Sequence, residues 1–83
     1  MQLIIGADAI SEASLRRVAG GVQATLRGRA LLRLLDAAFG GAGSIEVLGA
    51  DLDRRPLEVT SIEMSGAETR VTLICRGAAG ALH

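Results

Sequence analysis

The chain contains no Lys, Asn, Tyr or Trp, and only one each of Phe, Cys, Pro and His. Each shortage excludes something. With Phe39 as the sole aromatic, no strand can offer the stacking platforms on which sheet-based RNA binders hold bases. A lone Cys75 can close no internal disulfide, and no companion residue gives it metal-ligand spacing. It stands in the apolar run Val71-Thr72-Leu73-Ile74-Cys75, which predicts a buried, inert thiol. The only histidine, His83, is the final residue, where nothing can orient it as a base or ligand. Ser11, Ser14 and Ser61 therefore lack a base, and nucleophilic catalysis lacks its second member. No basic leader and no long apolar stretch follows Met1, so neither a signal peptide nor a membrane span is expected.

Charge is balanced: nine Arg offset nine Asp plus Glu. A formal charge of zero gives no long-range attraction to nucleic acid or anionic lipid, and neither is expected as a partner. What abounds is aliphatic. Hydrophobic residues make up 49% of 83 residues, with 11 Gly. That length supports one domain, residues 1–83, burying about 60–65% of its unfolded surface, so its stability is modest or helped by association.

The stretch Gly28 to Gly41, GRALLRLLDAAFGG, is the segment around which the rest is organised. At about 100° per residue, Leu34, Ala38, Leu31, Leu35, Phe39 and Leu32 share one arc. Arg29, Arg33 and Asp36 fall opposite, with Ala30 and Ala37 beside them. Gly28 can serve as N-cap, and Gly40-Gly41 supplies the left-handed residue that commonly ends a helix.

Around it the chain is β-leaning and Gly-punctuated. Gln2–Ile5 reads as an opening strand stopped by Gly6. Ser11-Glu-Ala-Ser-Leu-Arg-Arg17 favours a short helix from Ile10 ending at Ala19, because a continuous helix would bury Gly20 and Gly21 at about 1 kcal/mol each. The competing reading makes Leu15–Val18 and Val22–Arg27 two strands turned by Ala19-Gly20-Gly21. In either case Val22–Arg27 is a strand with Val22, Ala24 and Leu26 inward. Strands are expected at Ser44–Leu48, at Leu57–Met64 with a bulge near Thr60-Ser61, and at Thr69–Arg76 with Val71, Leu73 and Cys75 on one face. Ser65–Glu68 is a turn, and 77–83 reads as a frayed tail. Two short matches hint at duplication: Ile5-Gly6-Ala7-Asp8 with Leu48-Gly49-Ala50-Asp51, and Leu26-Arg27-Gly28 with Cys75-Arg76-Gly77.

Candidate sites are few. Gly40-Gly41-Ala42-Gly43 follows a helix, whereas a phosphate cradle precedes one. The loop Asp51-Leu52-Asp53-Arg54-Arg55-Pro56 is the most interactive stretch. Asp51 and Asp53 form a D-x-D that Arg54 and Arg55 neutralise, so metal binding is not expected there. Arg54-Arg55 could instead grip a partner's carboxylates, making Asp51, Asp53, Arg54 and Arg55 the candidate partner-binding residues.

The order Val22–Gly28 strand, Ala30–Leu35 helix, Ser44–Val47 and Leu57–Ile62 strands resembles the periplasmic ferredoxin-like domains of type II secretion inner-membrane platform proteins and type IV pilus alignment proteins. The resemblance covers about two-thirds of the chain and rests on hydrophobic positions and one glycine. It implies domains that dimerise and position an assembly without catalysis, in the periplasm if this is an excised domain; a complete chain with this start would be cytoplasmic.

The expected fold is therefore α+β, ferredoxin-like as a first guess: a mainly antiparallel sheet of four to five strands, with one or two helices on one face. The expected function is a non-catalytic self-associating assembly module without cofactor or metal. Its partners would be another copy, in a two-fold dimer, and an unidentified protein. A structural component of a large, phage-like particle and a small-molecule-binding or enzyme accessory subunit are the competing readings.

Overall fold

A computed structural model describes residues 1–41, 43–49, 51–52 and 55–75. The elements run β1 (Gln2–Ile5), β2 (Asp8–Ile10), β3 (Ser14–Val18), β4 (Gly21–Leu26), α1 (Gly28–Gly40), β5 (Ile45–Leu48), β6 (Leu57–Ser65) and β7 (Glu68–Cys75). They make two antiparallel sheets, ordered β2-β1-β5 and β3-β4-β7-β6. The fold is α+β as expected, but the single sheet of four to five strands is replaced by two sheets, with α1 the one helix among the described residues.

The extra strands come from the segment before Gly20. Residues 10–19 are not helical; β3 pairs with β4 from Ser14↔Thr25 to Val18↔Gly21. Helix propensity across this segment is worth only tenths of a kcal/mol per residue, and a hairpin partner outweighs it. The glycines that argued against a long helix make the turn. Gly20 takes φ +80° and accepts a hydrogen bond from the Cys75 amide at 2.8 Å. Gly21 is buried so close to β7 that a Cβ there would stand 1.8 Å from the Leu73 carbonyl oxygen. Only glycine lets the two strands approach this closely.

Alternation predicts the inner face of the larger sheet well. Val22, Ala24, Leu26, Val71, Leu73 and Cys75 are all buried, against Leu3, Ile5, Ile45 and Val47 of the smaller sheet and Leu34 of α1 in one core. The bulge in β6 lies between Val59 and Ser61, as expected from the broken alternation. Across the four strands, Leu15, Ala24, Val71 and Ile62 lie in one row and Arg16, Gln23, Thr72 and Ser61 in the next.

The helix has the expected C-terminal limit and a different rotation. Gly41 ends it at φ 70°, ψ 23°, its amide donating to the Asp36 carbonyl. The N-cap position falls to Arg27, in extended conformation with no side-chain cap, rather than to Gly28. Its buried residues are Ala30, Leu34 and Ala37, while Leu31 and Ala38 pack partly against the core. Ala30 and Ala37, placed by the sequence beside the polar face, are thus the close-packing positions. Leu32 and Phe39, at the far end of the predicted arc, are 63% and 70% exposed. Small residues let the helix approach the sheets, and the larger side chains are turned outward.

β4·β7 is centred between Gln23↔Thr72 and Ala24↔Val71, and β1·β5 between Leu3↔Val47 and Ile4↔Glu46. The tail at 77–83 lies outside the described residues.

Candidate interaction surface

The expected partner loop is anchored rather than free. Leu52, read from sequence as part of a polar loop, is 1% exposed and joins the core. Its amide donates to the Gly49 carbonyl at 3.1 Å, and the Arg55 amide donates to the Leu52 carbonyl at 3.1 Å. Asp51 has φ 65°, a left-handed turn conformation that Asp tolerates, and both Asp51 and Arg55 are exposed. Asp53 and Arg54 lie outside the described residues, so of the four candidates the structure places only Asp51 and Arg55.

Cys75 is buried on β7 as expected. Among the described residues no cluster of three or more His, Cys, Asp or Glu is arranged to hold a metal ion. None of the helices is long and apolar enough to cross a membrane among those residues. An open cleft of about 500 Å³ separates the C-terminal end of α1 from the start of β6, with Ala38, Phe39, Ile45, Leu57 and Val59 among its walls. Ser44 and Glu58 contribute polar side chains to its lining.

The larger feature is the far edge of the β3-β4-β7-β6 sheet. Leu57 and Val59 on β6 sit against the core. Beyond the bulge, the same face continues with Ile62 and Met64, which are 42% and 81% exposed. The register puts these two on the core side with Leu57 and Val59, but β6 outruns what α1 and the smaller sheet cover. No described strand pairs with the outer side of β6 or of β3.

These two edges differ in charge. β3 carries Arg16 and Arg17; the Arg17 guanidinium donates to the backbone carbonyls of Val18 and Gly21. β6 carries Glu58 and Glu63, with Glu63 loosely paired to Arg70 on β7 at 3.8 Å. On the helix, Arg33 faces the smaller sheet and bonds Asp8 at 2.8 Å, an exposed pair. Sequence reading put Arg33 on the solvated side and missed this contact, since a partner 25 residues away leaves no local signal.

No family model, curated protein or solved structure matches this chain.

Proposed function

We propose that this domain is a non-catalytic interaction module that builds an assembly by associating with further copies of itself. The observation that supports it is the open β6 edge, where a nine-residue strand leaves Ile62 and Met64 exposed on its core-side face. An unpaired strand with exposed apolar side chains is a template for another strand. Glu58 and Glu63 are the charged residues of β6, and beyond its bulge the stretch from Ser61 to Ser65 keeps a regular ladder with β7. The exposed helix residues Leu32 and Phe39 add apolar surface to the same small molecule. A place in a secretion or pilus-type machine is what the strand–Gly–helix–strand resemblance suggests, with Asp51 and Arg55 then free to meet a second protein.

A role as a component of a larger particle is the second reading, favoured by the edge charges treated below. Mass in solution over rising concentration is the test. Self-association gives a mass above that of one chain that rises toward a plateau or grows further, and one chain's mass at every concentration contradicts it.

A further inference from the structure

We infer that copies of this domain join head to tail, the β6 edge of one pairing with the β3 edge of the next to continue the four-stranded sheet. This rests on the self-association reading above and specifies its geometry. Three antiparallel steps separate β3 from β6, so the two edges run in opposite directions. A second copy placed beside the first in the same orientation therefore presents β3 antiparallel to β6, with no rotation needed.

The side chains fit the rows. Extending the row of Leu15, Ala24, Val71 and Ile62 sets a second copy's Leu15 opposite Ile62 on the inner face. The next row sets a second copy's Arg16 opposite Ser61 on the outer face. Glu63 and Glu58 lie two rows to either side on that face, within the roughly 7–8 Å diagonal reach of an arginine.

A two-fold pairing of β6 with itself offers no opposite charges. In the register that opposes Ile62 to Val59, Glu63 faces Glu58 twice, and in the register centred on Glu63 the two copies of that carboxylate meet. Pairing β3 about Arg16 sets two guanidinium groups together. Like charges directly opposite destabilise a strand pair, so those registers are disfavoured, whereas the mixed contact sets Arg16 diagonal to two carboxylates. A contact between two different surfaces does not close on itself after one step, and gives a ring or a filament.

The experiment blocks one edge at a time. Arg16→Glu removes the β3 contact and Glu63→Arg the β6 contact, both at exposed positions where circular dichroism melts verify folding. Each variant alone is expected to associate about tenfold more weakly than wild type, or not at all. Mixed together, the two variants share one unaltered contact, the β6 of Arg16→Glu with the β3 of Glu63→Arg, and a second in which the two charges are exchanged. Sedimentation of the mixture is then expected to show association restored toward that of wild type. If Arg16→Glu associates like wild type while Glu63→Arg does not, the β3 edge is not used and the head-to-tail inference fails while self-association stands. If both variants associate like wild type, neither edge is used and the inference fails likewise. A wild-type protein that is monomeric throughout overturns both.

Discussion

Replacing Leu34 with Ala measures how α1 is turned against the core. Leu34 is fully buried at the centre of the helix, flanked one turn away on either side by Ala30 and Ala37, which cannot swing in to fill a gap. A leucine-to-alanine change at such a site costs about 2–5 kcal/mol, with the upper half of that range where neighbours are too small to relax. A domain of this length has a total stability of about 4–12 kcal/mol. With a urea slope near 1 kcal/mol per molar, the midpoint is expected to fall by about 2–5 M, enough to leave a large fraction unfolded in water. Leu32→Ala, at a residue 63% exposed, is expected to stay within about 0.5 kcal/mol. Urea melts of the two variants at low protein concentration, where association does not contribute, decide it. Equal losses at Leu32 and Leu34, or a larger loss at Leu32, would refute the rotation of the helix and with it the exposure of the Leu32–Phe39 flank.

Two further expectations concern the β4·β7 pair. Gly21→Ala places a methyl 1.8 Å from the Leu73 carbonyl oxygen and 2.8 Å from the Ile74 Cα, both backbone, so the strands must part. The loss should exceed the 1–3 kcal/mol of ordinary overpacking, and a near-wild-type melting temperature would show that the two strands do not meet there. Cys75 is 5% exposed on the core face of β7. Labelling by a thiol reagent should be slow in the folded protein and fast in denaturant, and rapid native labelling would mean that β7 is shifted by one residue.

Much of the architecture was readable because it is local. The C-terminal limit of the helix follows from Gly40-Gly41, the inward set of β4 and β7 from two-residue alternation, and the β6 bulge from a break in that alternation. What was missed depends on tertiary partners. Residues 14–18 have good helix propensity, yet β4 offers them a ladder and Gly21 fits only a close strand approach. Alanines beside the polar face became the buried stripe of α1, because the sheets come close enough to need small residues there. Leu52 looked like loop filler among charges, and burial of its side chain is what pins that loop. The β6 surface was not legible: the sequence marks the strand Leu57–Met64, but only the register and the extent of the covering layers tell that Ile62 and Met64 lie on its core side and stay exposed.

The claim that the open edges of the larger sheet carry association is tested most directly by amide hydrogen exchange at two protein concentrations a hundredfold apart. Exchange reports the opening of individual backbone hydrogen bonds, so a newly paired strand announces itself along its own length. The account predicts that amides of β6 and β3 become protected at the higher concentration, while those of β4 and β7, already paired on both sides, stay unchanged. Exchange in β6 and β3 that is the same at both concentrations, in a sample whose mass has risen above one chain, would contradict it.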